Sequence, residues 1–312
     1  MEELLKISFV IPLINEHDSL EELYRQINEL SQESLKGDGL ELIFINDGST
    51  DFSLNKLKEL QQEDSRIKII SFRKNLGKAT ALNEGFKKAT GDIIVTMDAD
   101  LQDGPENIPL LLERLDDTTD MVVGWKKERN DPLSKTLPSK LFNSLARKFY
   151  DISLHDLNSG LKVMKKEVAK ELYLYGELHR FIPVLAVQRG FKVAEIPVVH
   201  HARKYGKTKY NLSSRFKGLL DFMTVMFLGR YGTRPLHFFG RLGALSITIG
   251  LIFGVYLSVI HFQGVSIYRR PMLILSVFLV LSGLQLLSTG LIAEMIVDTK
   301  ASSNSLPIDY ES

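Results

Sequence analysis

The chain has 312 residues, with 39 Lys and Arg against 38 Asp and Glu, 44% hydrophobic residues and no cysteine. That length holds roughly two domains and a sizeable core, and the apolar fraction excludes a disordered polypeptide. The missing cysteine excludes disulfides, thiolate catalysis and Cys-ligated zinc, while the net charge of +1 conceals a basic stretch followed by an uncharged one.

Residues 7–11 form a short β-rich apolar run ending at Pro12. Ser19 and Glu22 then stand in capping-box spacing at the start of a helix. Residues 40–45, 67–71, 92–97 and 120–123 read as further strands, with helical patterns over 52–64, 78–89 and 106–115. This alternation predicts an α/β fold, a mostly parallel sheet with helices on both faces. Ligands of such sheets bind beyond the carboxyl ends of the strands, where Glu16, Asp47, Asp98 and Asp100 stand.

Residues 200–241 carry nine Lys or Arg and a single acid, Asp221. Within them, residues 211–234 read as an interfacial amphipathic helix. Phe216, Leu219, Leu220, Met223 and Phe227 recur at helical spacing, and Arg215 and Lys217 lie largely elsewhere. An amphipathic helix packed on a soluble domain has the same pattern. Residues 242–262 and 272–293 carry no Asp, Glu, Lys or Arg. At about 1.5 Å per residue each spans a bilayer core of about 30 Å, so residues 235–300 read as a two-helix transmembrane hairpin. The basic excess before residue 242 predicts a cytoplasmic N-terminal domain, with residues 263–271 outside. Arg269 and Arg270 in that connector oppose the orientation but are outnumbered. The N-terminus has no cleavable-signal pattern, and residues 301–312 read as a flexible cytoplasmic tail.

The chemistry concentrates in MDADLQD, residues 97–103. Alternation along an extended segment puts Asp98 and Asp100 on one side, with Gln102 able to follow. Two carboxylates and an amide oxygen are hard donors suited to Mg²⁺ or Mn²⁺, which keep water and phosphate ligands. No GxxxxGK[ST] is present and no GxGxxG follows the first strand, so nucleotide triphosphatase and dinucleotide readings lose support.

VIPLINE (10–16), INDGSTD (45–51), NLGKATALNEG (75–85), MDADLQD (97–103) and DLNSGLK (156–162) together resemble the family 2 glycosyltransferases of GT-A fold. HRFIP (179–183), RKYGKTKYN (203–211) and the two spans narrow the resemblance to the polyprenyl-phosphate glycosyltransferases. That group includes dolichyl-phosphate mannose synthases and bacterial undecaprenyl-phosphate glucosyltransferases, and the likeness covers residues 6 to 295. It implies a GT-A nucleotide-sugar domain over residues 1–210. By the same resemblance, Pro12, Ile14 and Glu16 wall the nucleobase and ribose, and Asp47 accepts a base N–H. Lys78 joins the nucleotide-sugar set, Asp98, Asp100 and Gln102 form the metal and diphosphate group, and Arg203 and Lys209 grip the donor diphosphate. Asp156 is the expected catalytic or acceptor-orienting carboxylate.

These roles imply one inverting transfer from a nucleotide sugar to a polyprenyl phosphate. The acceptor is already anionic near pH 7, so positioning outweighs base catalysis. Lys126, Arg129, Lys140 and Ser159 are the residues expected around the acceptor phosphate; for the three cations, a solvated basic face is the alternative. The only tryptophan, Trp125, is not in the QxxRW context of processive synthases, which argues for a single transfer. Among donors UDP-glucose comes first, with GDP-mannose and UDP-N-acetylhexosamine open. The implied setting is the inner (plasma) membrane and cell-envelope glycosylation, without nucleic acid and with homo-oligomerisation left open. The rival class is a non-catalytic scaffold or glycolipid flippase component. Spans without intramembrane charge make a poor transport path.

Overall fold

The structure, a computed structural model, describes residues 5–33, 39–126, 154–201, 204, 223–224, 227, 231–232, 234–267 and 270–301. They divide into two compact units, residues 1–225 and 226–312.

The first unit is built on a seven-stranded sheet. Its strands are β1 (Ile7–Leu13), β2 (Leu40–Asn46), β3 (Ile67–Ser71), β4 (Ile93–Thr96), β5 (Met121–Lys126), β6 (Lys162–Lys165) and β7 (Val193–Val198). Their order is β3-β2-β1-β4-β6-β5-β7, and all pairings are parallel except those of β6 with β4 and with β5. Every residue of β1 and β2 is buried, as expected for strands covered on both faces. Helices α1 (His17–Glu33), α2 (Ser53–Glu63), α3 (Lys78–Lys88), α4 (Ile108–Arg114), α5 (Lys166–Glu171) and α6 (Ile182–Gln188) complete the unit. On one face Leu20, Leu23 and Ile27 of α1 join Phe9, Phe44 and Leu57 in the core.

Two local expectations need correction. β1 does not end at Pro12 but continues to Leu13, with Pro12 opposite Ile45 of β2. The β1–β4 ladder stops at Val10, so on that side the missing proline N–H costs no sheet hydrogen bond. The capping box does not form either, because α1 begins two residues before Ser19. Ser19 Oγ instead donates to the Glu16 carbonyl at 2.9 Å, and Glu22 accepts Gln26 Nε2 and Lys204 Nζ. The free N–H groups at the helix start go to the β2–α2 loop: Glu16 donates to Ser53 Oγ and His17 to Asp51 Oδ2.

The second unit contains α7 (Leu236–Phe262) and α8 (Pro271–Ala301), both long and apolar enough to cross a membrane. Only 17% and 11% of their apolar windows are buried, so they are not the packed core helices of a soluble domain. Small residues bring the backbones together. A Cβ on Gly243 would stand 2.8 Å from the Gly283 carbonyl oxygen, and Ser246 and Ser276 donate across the seam to the carbonyls of Leu279 and Gly250, each at 2.7 Å. The first helix starts six residues before the uncharged run, and Glu294 of α8 accepts the Leu236 N–H at 3.1 Å. A carboxylate there satisfies an orphan donor and faces the positive end of α7. Most of the expected interfacial helix, including Arg215 and Lys217, and residues 302–312 lie outside the described residues.

Candidate active site at the strand ends

The motifs meet beyond the carboxyl ends of β1, β2 and β4. VIPLINE and INDGSTD latch to each other through Asn15, whose N–H donates to Ser49 Oγ and whose side-chain oxygen accepts the Thr50 N–H at 2.8 Å. Asn15 takes φ 52°, a left-handed turn that asparagine tolerates.

Asp47 follows β2 and is buried. Its two carboxylate oxygens accept the Leu76 and Gly77 N–H groups at 2.7 and 2.9 Å. The acid expected to meet a nucleobase thus fixes the turn that opens α3, where Gly77 has φ 92°. That turn delivers Lys78, the first residue of α3, to Asp98, and the two side chains form a close ion pair.

After β4 the chain turns, and Leu101 takes φ 60°. The alternation nevertheless persists: Met97, Ala99 and Leu101 are buried, and Asp98, Asp100 and Gln102 are half-buried. The Gln102 N–H donates to Asp100 Oδ1 at 3.2 Å. Asp103, the last acid of the motif, is fully enclosed, with Lys126 Nζ at 2.7 Å and His200 Nδ1 at 3.5 Å. Burial would raise its pKa, but the polar contact to His200 and the Lys126 ammonium hold the carboxyl well below the usual range.

DLNSGLK closes the site from the side of β6. Asp156 is buried and accepts the Asn158 N–H at 3.2 Å. Lys162 is enclosed, and its ammonium donates to the Ser159 carbonyl. Burial and the charge of Lys78 push its amine down to about 8, against the pull of Asp98, Asp156 and Asp103. Gly160 leaves room for two acids, since a Cβ there would lie 2.6 Å from Asp103 Oδ2 and 2.8 Å from Asp98 Oδ2. His179 is also buried, and burial holds its imidazole well below the ordinary value, reinforced by Lys78, Arg180 and Lys162. Its Nδ1 has no hydrogen-bond partner among the described residues. Lys78, Asp98, Asn158, Lys162 and His179 line one cavity of about 10 Å³, with Pro12 in its wall.

The donor set suits a divalent cation. Asp98 and Asp100 offer hard oxygens, and Gly160 keeps the space beside Asp98 free of side chain. Among the described residues no three His, Asp or Glu side chains gather around one point. A metal here would complete its shell with water or phosphate, as Mg²⁺ and Mn²⁺ do.

The profile described as glycosyl transferase family 2 matches residues 8–173. The chain belongs to that family. Over 309 residues, this family 2 chain is 37% identical to the dodecaprenyl-phosphate galacturonate synthase of Rhizobium johnstonii, covering 97% of the chain and 91% of the relative. It is 31% identical over 294 residues to the undecaprenyl-phosphate 4-deoxy-4-formamido-L-arabinose transferase of Klebsiella pneumoniae, covering 93% and 88%. Among solved structures it is similar to glucosyl-3-phosphoglycerate synthase of Mycobacterium tuberculosis in complex with Mn²⁺, uridine diphosphate and phosphoglyceric acid. That likeness has TM-score 0.56, 20% identity and coverage of 72% and 78%. A mannosyltransferase from Pyrobaculum calidifontis in complex with GDP-Man and Mn²⁺ gives TM-score 0.51 at 19% identity, covering 98% and 78%. These likenesses establish the GT-A fold.

Among the expected site residues, Asp98 and Lys78 meet directly, and both line the cavity with Pro12 and Ser159. Lys126, expected at the acceptor phosphate, is the counter-ion of buried Asp103, and the Ser159 hydroxyl is enclosed, with the Leu161 carbonyl at 3.5 Å. Trp125 stacks on His155 at 4.3 Å, a packing role. Arg129, Lys140, Arg203 and Lys209 lie outside the described residues. Three groups had no assigned role in the sequence reading: Asp103, Lys162 and His179. For Asp103 and Lys162 the available signal is position inside MDADLQD and DLNSGLK, which carry other site residues, while His179 opens HRFIP, which carries none.

Proposed function

We propose that this family 2 transferase moves one sugar from a nucleotide sugar to the phosphate of a membrane polyprenyl lipid, inverting the anomeric carbon. The observation that carries the reading is the pairing, in one chain, of Asp98 at the sheet's carboxyl edge with two membrane-length helices that follow the catalytic domain. Whole-length similarity to two polyprenyl-phosphate sugar transferases supports the same acceptor class.

In the displacement, an acceptor phosphate oxygen bonds to the anomeric carbon and the bond to the nucleoside diphosphate breaks. The acceptor is anionic already, so no group need remove a proton. Asp156, buried and accepting the Asn158 N–H, is assigned to orienting the acceptor. Asp98 and Asp100, with Gln102, would hold Mg²⁺ or Mn²⁺, which when bound supplies positive charge against the leaving diphosphate. Arg203 and Lys209 are assigned to the same diphosphate, and Arg129 and Lys140 to the acceptor. The catalytic domain is placed on the cytoplasmic face of the inner membrane.

UDP-glucose was the first expectation for the donor, but the relatives' names carry galacturonate and 4-deoxy-4-formamido-L-arabinose. A nucleotide-linked galacturonate therefore belongs beside UDP-glucose and GDP-mannose in the test. Purified protein is incubated with each labelled donor, Mn²⁺ and undecaprenyl phosphate, and label is counted in the organic phase. Lipid-linked label from one donor is expected. Label that stays in the aqueous phase for every nucleotide sugar tried would defeat the assignment.

A further inference from the structure

Among the described residues the site holds four carboxylates, Asp98, Asp100, Asp103 and Asp156, and three ammonium groups, Lys78, Lys126 and Lys162. These cations differ in freedom. The side chain of Lys126 is 14% exposed and pinned to Asp103, and Lys162 is 3% exposed and tied to the Ser159 carbonyl. Lys78 and Asp98 are 34% and 32% exposed. Their contact therefore faces solvent, and a partly exposed ion pair on a flexible four-carbon stem is weak. The Lys78 backbone, by contrast, is fixed, because Asp47 holds the two N–H groups just before it.

We propose that Lys78 is a tethered counter-ion: it occupies Asp98 until a divalent metal takes its place, and its released ammonium then meets the donor diphosphate. This inference rests on the assignment of the metal to Asp98 and Asp100. Lys78 holds Asp98 Oδ1, so a divalent ion drawn to this carboxylate competes with the ammonium for its charge and is repelled by it at close range. Of the three cations, only Lys78 has room to withdraw. The exchange makes metal binding and donor gripping consecutive events at one carboxylate. Until the metal binds, Lys78 offsets the charge of Asp98, since an uncompensated half-buried carboxylate would be costly.

The test is a titration of the full-length protein in detergent with Mn²⁺ alone, with free Mn²⁺ read by electron paramagnetic resonance. Lys78→Met is expected to bind Mn²⁺ about two- to fivefold more tightly than the unaltered chain, the scale of one lost competing ion pair. Lys78→Arg, which keeps the competitor, is expected to stay near the original affinity. The same Lys78→Met protein should show a KM for the nucleotide sugar raised at least about tenfold, so metal affinity and donor affinity move in opposite directions. Lys78→Gln repeats the measurement should the methionine variant misfold. Equal or weaker Mn²⁺ binding by Lys78→Met and Lys78→Gln, or none at all, overturns the exchange. Asp100→Asn separates the two claims. If it abolishes Mn²⁺ binding while Lys78→Met gives no gain, the metal site stands and the exchange falls. If it leaves Mn²⁺ binding unchanged, the metal assignment itself is wrong.

Discussion

Gly160→Ala tests whether the spacing of the acids matters. A Cβ at this position would stand 2.6 Å from Asp103 Oδ2 and 2.8 Å from Asp98 Oδ2, against about 3.4 Å for ordinary contact. The two carboxylates must therefore retreat by about 0.8 and 0.6 Å, or the loop must move by as much. Asp103 cannot yield easily, because it is enclosed and held by Lys126. Asp98 is half-exposed and gives way first. Overpacking of this kind costs about 1–3 kcal/mol of stability. A misplacement approaching 1 Å at a reacting centre can cost about 10²-fold in rate. The expected variant folds, unfolds at modestly lower denaturant, and loses roughly hundredfold in kcat/KM for lipid-linked product, measured well below its melting temperature. A protein with normal Mn²⁺ affinity and near-normal turnover would refute the claim that Asp98 is held to position by the bare Gly160.

Glu41 is buried; burial favours its neutral form, but Lys68, Ser8 and the Thr90 N–H outweigh this and hold its pKa at about 2, against 4.5 ordinarily. Because the folded value is depressed, its stabilisation of about 3 kcal/mol is complete above pH 4.5 and is lost as pH falls toward 2; denaturant midpoints should drop across that window, and far less so in Glu41→Gln. Asp47→Asn leaves one acceptor oxygen for two N–H groups, so the donor KM should rise and stability fall by about 1–3 kcal/mol, read by kinetics and denaturation. In intact cells, Ile267→Cys should react with an impermeant thiol reagent and Ser305→Cys should not; the opposite pattern reverses the topology. Gly243→Leu should wedge α7 from α8 and lower the thermal stability of the detergent-solubilised protein, whereas Leu245→Ala, on an exposed position of the same helix, should leave it nearly unchanged.

Where the sequence was legible, one physical rule acted alone. The parallel strands show as continuous apolar runs because both faces of the sheet are covered, and the membrane-length helices show because residues 242–262 and 272–293 within them carry no Asp, Glu, Lys or Arg. Alternation identified the outward side of MDADLQD even though the strand ends at Thr96, since burial keeps its period through the turn. Local rules failed where a distant segment supplied a competing partner. Ser19 and Glu22 have capping-box spacing, but Ser53 and Asp51 had already claimed the N–H groups at the helix start. Pro12 looks like a strand terminus until the neighbouring ladder is seen to stop at Val10.

The ion pairs at the site belong to the second kind. Lys78 lies twenty residues before Asp98 and Lys126 twenty-three after Asp103, so no local pattern links either pair. Lys162 sits between Leu161 and Val163, all three buried, and a one-dimensional reading has no reason to place a charge among them. Its environment becomes intelligible once Asp98, Asp103 and Asp156 converge on it, because buried ammonium survives only beside opposite charge. That convergence also limits what the site can do unaided. Among the described residues, four carboxylates (Asp98, Asp100, Asp103 and Asp156) against three ammonium groups leave no surplus positive charge to meet a diphosphate as its bond to the sugar breaks. The missing charge must come from a divalent ion on Asp98 and Asp100, from the Arg203–Lys209 loop, or from Lys78 once freed. The first and the last of these sources require the resting pairing at Asp98 to change. Among the described residues the acids therefore outnumber the ammonium groups, which is the electrostatic reason for this site to recruit a cation together with an anionic donor.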